Sequence, residues 1–219
     1  MLSLPEEFLL LMLKDEGGSF VSALHEELGT GIVGAALMDL GLHNRIDSDQ
    51  HALWVTDPTP TGHADLDLVL SALVAGPEEQ TTASSLAKVG ALVPEIRELA
   101  LKALVERGIL SQKNGKVLWI FPQRRYPVID GREIRDIKLR LLDVLLRDDI
   151  PDGRDVCILA VIDIVDLLGH LVPPSELGRA RQRLASIARL DLIGAQLRVQ
   201  LERERDMLFA AMTIQAGLH

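Results

Sequence analysis

"PEIRELALKALVERGILSQKNGKVLWIFPQRR", residues 94–125, carries both of the chain's structural periodicities in one run. Pro94 is tolerated in the first turn of a helix, where its missing N–H costs nothing. From there Ile96, Leu99, Ala103 and Leu104 recur at helical spacing as far as Arg107. Glu98, Lys102 and Glu106 fall four apart on the opposite face and support one another. Gly108 stops the helix. The pattern then changes to a hairpin, with Ile109–Gln112 as one strand, Asn114-Gly115 as the turn and Lys116–Phe121 as the other. Val117, Leu118, Trp119, Ile120 and Phe121 are apolar without a break, and Pro122, Gln123, Arg124 and Arg125 follow. A strand buried on both faces accounts for such a run, and so does a loop that touches a membrane.

Helical patterns dominate on either side. Ser3 and Glu6 have capping-box spacing, with Pro5 in the first turn, so a helix is expected from about Leu4 to about Lys14. Its near-continuous apolar body implies burial on most sides, and Gly17-Gly18 ends it. A second helix is expected from about Gly31 to Leu42. A short hairpin around "DSDQHA" (47–52) and a loop at "DPTPTGH" (57–63) follow. Further helices are expected over 64–75, 81–90, 132–147, 155–171 and 175–190, with a last helix or pair over 194–216. In 132–147 the buried stripe reads Ile134, Ile137, Leu141, Val144 and Leu145. Helix 155–171 is apolar nearly all round and is the expected core helix. No low-complexity linker divides the chain. The reading is mainly α: a single domain over 1–219, a helical bundle around a buried central helix with short β-hairpins.

Composition fits. Of 219 residues, 47% are hydrophobic but only 3% aromatic, so aliphatic side chains must fill the core. A formal charge of −9 argues against a broad nucleic-acid interface, which needs a basic face. It leaves room for a local basic patch. Cys157 is the single cysteine, so no disulfide or Cys-based zinc site is expected within one chain, and a cytoplasmic setting fits. The N-terminal segment lacks the basic-then-apolar order of a signal peptide. The longest apolar run, Val156–Ile162, is far short of the ~20 residues that span a bilayer. Any membrane contact is therefore expected to be peripheral.

No catalytic constellation emerges. His25, His43, His51, His63, His170 and His219 form no metal-binding helical pair. There is no phosphate-binding P-loop, dinucleotide fingerprint or nucleophile elbow. Asp65 and Asp67 suit the positive end of a helix, and Asp163 and Asp166 suit a narrow exposed face or an arginine partner. The chain is read as a non-enzyme without metal or cofactor. Three non-enzymatic readings stand. A helix followed by a hairpin is the winged-helix order, but Glu95, Glu98 and Glu106 on that helix would repel phosphates. A membrane-surface hairpin is the second: Trp favours the interface. Lys113, Lys116, Arg124 and Arg125 bracket the run, each worth roughly 1 kcal/mol near anionic lipid. The third is a cytosolic interaction module whose apolar strand pairs with a partner or a second copy.

In chain order, "LSLPEEFLLLMLKDEGGSF" (2–20), "ALMDLGLHNRI" (36–46), "PTGHADLDLVL" (60–70), "IRELALKALVERGIL" (96–110), "VLWIF" (117–121) and the apolar helix at 156–168 resemble the Golgi phosphoprotein three family. The resemblance implies a mostly α-helical domain around a buried helix bundle. It implies a peripheral adaptor on the cytoplasmic face of a membrane. Eukaryotic members bind phosphatidylinositol 4-phosphate beside an apolar membrane-contacting hairpin, and some bind glycosyltransferase tails. On that likeness residues 113–125 are the hairpin, with Val117, Leu118, Trp119, Ile120 and Phe121 at the membrane. Arg97, Arg124 and Arg125 are the headgroup-binding candidates. Three positions of the eukaryotic pocket differ here: Val21 replaces a Trp, and Val33 and Pro94 each replace an Arg, so Arg97 alone is retained. The compact form and the scarcity of Lys point to a bacterial member. The expected partners are anionic or phosphoinositide lipid, client membrane-protein tails and a second copy through the hairpin, with no nucleic acid.

Overall fold

The computed structural model describes residues 1–13, 18–20, 25–49, 51–76, 80–117 and 121–188. Within them the protein is mainly helical, as its periodicity implies. Nine helices are present among the described residues. They are α1 (Leu4–Leu11), α2 (His25–Leu42), α3 (Ala64–Val74), α4 (Thr82–Gly90), α5 (Val93–Glu106), α6 (Arg132–Leu146), α7 (Gly153–Ile164), α8 (Leu168–Leu171) and α9 (Leu177–Ala188). Strands β1 (Ile46–Ser48), β2 (Ala52–Val55) and β3 (Gln80–Thr81) form an antiparallel sheet in that order. Strands β4 (Lys113–Val117) and β5 (Phe121–Arg125) form a separate hairpin. The helix expected over 194–216 lies outside the described residues.

Helix α1 begins where its sequence says it should. Ser3 Oγ accepts from Glu6 N, and Glu6 Oε2 accepts from Ser3 N at 2.8 Å, closing the capping box. Such a cap contributes about 1 kcal/mol. The helix is buried on nearly every side, with Leu4, Phe8, Leu9 and Leu10 wholly inaccessible. It lies against α2, in which every residue from Gly31 to Leu40 is buried. Close approach needs Gly31, because a Cβ there would overlap the Phe8 ring. Helix α2 starts six residues before the sequence expectation and also packs on α3, α4, α5 and α7. One apolar cluster runs from Leu4 through α7 to Ile187 of α9.

Three helices end with the same device. In α2, Arg45 N donates to Leu40 O and Asn44 N to Gly41 O, with Asn44 at φ 54°. In α5, Ile109 N donates to Leu104 O and Gly108 N to Val105 O, with Gly108 at φ 72°. In α7, Leu167 N donates to Ile162 O and Asp166 N to Asp163 O, with Asp166 at φ 49°. Each is a Schellman motif with a left-handed residue just past the cap. The last one divides what reads as a single helix over 155–171 into α7 and α8. The first half is nonetheless deep, with Ile158–Ile162 buried against α1, α2, α6 and α9.

Carboxylates on α1, α2 and α7 are buried in pairs with arginines. Glu7 accepts from Arg140 Nη2 at 2.8 Å and from Arg154 Nη2 at 2.9 Å. Asp39 of α2 accepts from Leu4 N at 2.7 Å and from Arg154 Nη1 at 3.2 Å. Arg154 Nη2 also donates to Leu2 O at 2.8 Å. Arg140 Nε lies 2.6 Å from Asp155 Oδ1, an ion pair whose angle falls outside hydrogen-bond geometry. These contacts lock α6 and α7 onto the chain's first residues.

Candidate functional site

The hairpin is built from the end of α5. Its ladder starts at Ile109, whose carbonyl accepts from Ile129 N at 2.9 Å. It continues through the Leu110–Val128 bridge and the Ser111 N to Pro127 O bond at 2.8 Å. It then runs from Lys113–Arg125 to Val117–Phe121 in one register. Asn114 and Gly115 are therefore not the turn: they pair with Arg124 and Gln123 inside the ladder. Burial of Ile109, Leu110 and Tyr126 at the hairpin's base sets this register and overrides the local turn preference. The strand expected over Lys116–Phe121 is accordingly two strands. Leu118, Trp119 and Ile120, between the paired ends Val117 and Phe121, lie outside the described residues, as does Val21.

At the base of this ladder sits Arg97, on the first turns of α5. Its guanidinium carbon lies 4.6 Å above the centroid of the Phe20 ring. Phe20 is held there by two backbone links: a bridge to Leu13, and a bond from Tyr126 N to Gly18 O at 2.9 Å. Gly18 has φ 65°, and a Cβ there would collide with the Tyr126–Pro127 peptide, so only glycine fits. Tyr126 is buried beside Arg97. Burial pulls the Arg97 guanidinium below its ordinary range, with Tyr126 and then Glu98 acting in the opposite direction. Arg97 Nε is buried with no hydrogen-bond partner among the described residues.

Arg45, Arg140 and Arg154 likewise leave a buried Nε without a hydrogen bond, but each of them, and Arg183, has a carboxylate partner. Arg45 pairs with Asp57, Arg140 with Glu7 and Asp155, Arg154 with Glu7 and Asp39, and Arg183 with Asp148. Arg97 has no carboxylate within ion-pair distance among the described residues, and its aromatic floor attracts the cation without neutralising it.

Of the candidate residues, Arg97 and the hairpin's base meet, because Tyr126 directly follows Arg125 at the end of β5. Arg125 is exposed and pairs through its backbone with Lys113, and Arg124 pairs with Asn114. Val33 is buried in α2 and Pro94 is exposed in the first turn of α5. Sequence reasoning passed over Phe20 and Tyr126 as site residues. The available signal was scarcity, since Tyr126 is the chain's one tyrosine.

Comparison with known proteins gives the family. Residues 4–203 match Golgi phosphoprotein 3 (GPP34). The chain belongs to the Golgi phosphoprotein 3 family. A curated relative, vacuolar protein sorting-associated protein 74 of Eremothecium gossypii, is 31% identical over 166 residues, covering 66% of this chain and 49% of the relative. The chain thus spans about half the length of that relative. The family match reaches from α1 past α9 and takes in the hairpin and Arg97. Among the described residues no helix is long and apolar enough to cross a membrane, and no group of three or more His, Cys, Asp or Glu is placed to hold a metal ion.

Proposed function

We propose that this chain is a non-catalytic peripheral membrane adaptor, a single domain over 1–219, that binds anionic or phosphoinositide lipid through Arg97 and its hairpin. The carrying observation is Arg97 itself: half-buried, seated on Phe20, with no carboxylate against it among the described residues. A buried cation without a counter-charge is costly unless an anion arrives. A phosphoryl headgroup supplies that charge in a planar-fork geometry suited to arginine. Arg124 and Arg125, at the hairpin's base, add attractive field near an anionic surface. Val117, Leu118, Trp119, Ile120 and Phe121 are the apolar residues assigned to the membrane interface, on the grounds of their composition. The apolar cluster running from Leu4 to Ile187 supports the single-domain reading. Membership of the family supports the adaptor role and a site of action on the cytoplasmic face of a membrane, with membrane-protein tails as clients.

Liposome co-sedimentation tests this, with neutral, generally anionic and phosphatidylinositol 4-phosphate vesicles and the variants Trp119→Ala and Arg97→Ala. Binding to charged vesicles that falls in both variants is the expected result. Failure of the folded wild type to bind any charged vesicle removes the lipid reading and leaves the hairpin as a surface for a partner or a second copy.

A further inference from the structure

Asn44 and Asn114 are the chain's two asparagines, and Asn114 alone is followed by glycine. We propose that Asn114-Gly115 is a spontaneous modification site gated by the hairpin: pairing of β4 with β5 holds the Gly115 nitrogen, and opening frees it to displace the Asn114 side-chain amide. In that step the Gly115 nitrogen gives up its proton to solvent base and bonds to the side-chain carbonyl carbon of Asn114. The bond from that carbon to Nδ2 breaks, and ammonia leaves. Water then opens the cyclic imide at either carbonyl, giving aspartate or isoaspartate. Glycine suits the attack because no Cβ crowds its nitrogen.

The ladder's parity sets the gate. Ile129 N donates to Ile109 O and Ser111 N to Pro127 O, so Ile109, Ser111 and every second residue after them are the hydrogen-bonded positions. Tyr126 N turns outward to Gly18 O, as a residue between such positions must. The register continues in step from Lys113–Arg125 through Gly115–Gln123 to Val117–Phe121. Gly115 is therefore a hydrogen-bonded position with its N–H engaged by Gln123. Pro122, opposite Lys116, falls where an N–H would face away from the ladder. Beyond the base, β4 and β5 pair only with each other among the described residues. A lone two-stranded ribbon is marginal in water, so it opens far more often than the core unfolds. The two Asp-Gly steps are held differently: Asp130 accepts from Arg132 N and Nε, and Asp152 from Asp155 N, so both carboxylates are tied. Residues 108–129 contain four basic and no acidic side chains. Conversion places the first carboxylate among them. Isoaspartate also adds a carbon to the backbone of β4, just before the pairs Lys116–Pro122 and Val117–Phe121. On the lipid reading, both changes weaken the hairpin's hold on an anionic surface.

The test ages wild type at mildly alkaline pH, folded and in denaturing urea, and maps conversion of amide to acid at Asn114 and Asn44 by peptide mass spectrometry. Enzymatic methylation of isoaspartate identifies the rearranged product. Gln123→Pro removes a donor of the Gly115 pair, Gly115→Ala crowds the attacking nitrogen, and each variant is checked for an unchanged thermal melt. Folded wild type is expected to convert at Asn114 about tenfold more slowly than in urea, which corresponds to about 1.4 kcal/mol of ladder stability. Amide exchange at Gly115 should be slowed by the same factor. Gln123→Pro should approach the urea rate, Gly115→Ala should slow conversion in both states, and Asn44 should stay unconverted in the folded chain. Equal rates in the folded and unfolded chain overturn the proposal. So does the absence of conversion at Asn114 in a folded chain whose Gly115 amide exchanges. Converted protein should bind anionic vesicles about fivefold more weakly than fresh protein, the share of one charge near such a surface. Unchanged binding overturns that effect on the hairpin. If fresh protein binds no charged vesicle, the lipid reading falls, and the modification site, judged on its rates, does not fall with it.

Discussion

The Ser3 hydroxyl donates to Asp65 Oδ2 at 2.6 Å, joining the cap of α1 to the first turn of α3. Because the same serine closes the capping box with Glu6, two buried carboxylates share one neutral residue. Burial raises both: Glu6 is pushed up to about 7 against the Ser3 backbone hydrogen bond, and Asp65 is also raised, with the Ser3 hydroxyl opposing. Arg107 Nη1, 3.3 Å from Glu6 Oε2, offsets part of this from a half-exposed position.

A pH dependence of stability follows. In the unfolded chain Glu6 titrates at its ordinary 4.5, and in the folded chain near 7, so the folded state holds this proton more tightly. The stability it contributes is whole below the unfolded value and is lost as pH rises through about 7. At most about 3 kcal/mol is at stake. Glu6→Gln keeps an acceptor for Ser3 N but cannot ionise. Thermal melts of wild type and Glu6→Gln from pH 4.5 to 8.5 should diverge, with the wild type losing ground toward high pH. Parallel curves would show that Glu6 is not the titrating group.

Arg154 is a second test of the chain's first residues. It serves Asp39, Glu7 and Leu2 O at once. Arg154→Met keeps the stem but leaves buried Asp39 without an arginine and Glu7 with Arg140 alone, a loss of about 3–5 kcal/mol by denaturant titration. Lys102→Met, on an exposed pair with Glu106, should cost under about 1 kcal/mol. Similar losses for the two would mean that the buried network is solvated.

Helix existence was legible in the sequence because aliphatic periodicity is a local signal. Helices α3, α4, α5, α6 and α9 stand within two residues of their expected starts. Stripes were legible less finely. In α5 the wholly buried face is Ile96, Ala100, Leu101 and Leu104, with Leu99 and Ala103 only half-buried. In α6, Ile134 is half-buried while the other four expected positions are buried. Helix ends and registers were not legible where tertiary contacts decide them. Asp166 is no ordinary stop signal, yet it sits left-handed. Asn114-Gly115 is the strongest local turn signal in the chain, yet burial at Ile109 and Leu110 carries the ladder past it. At the site, Arg97 was nameable from family likeness. Its floor and its phenol neighbour were not, because Phe20 and Tyr126 reach it from segments far apart in sequence.

The approach of α1 to α2 depends on Gly31. Gly31→Ala drives a methyl into the Phe8 ring, and both helices are buried, so neither can yield cheaply. A loss of about 1–3 kcal/mol is expected. Phe8→Leu alone should also destabilise, by lost packing. The double variant should lose less than the sum of the two, because the smaller side chain makes room for the Cβ. Strict additivity in urea titration would separate Gly31 from Phe8.

The Schellman ends of α5 and α7 carry different residues at the same left-handed position, Gly108 in one and Asp166 in the other. Glycine has no Cβ to strain there, whereas aspartate has one. Asp166 does have an ion pair with Arg181 at 3.4 Å, but its side chain is 81% exposed, so the pair contributes little. Asp166→Gly should therefore stabilise the protein by about 0.5–1 kcal/mol, less the small loss of that pair. Gly108→Ala should destabilise it by about 1 kcal/mol, since nothing lies within 4 Å of the new methyl and only backbone strain is added. Urea midpoints measured at unchanged m-value give both signs. Destabilisation by Asp166→Gly would assign the α7–α8 break to the Arg181 contact rather than to the backbone.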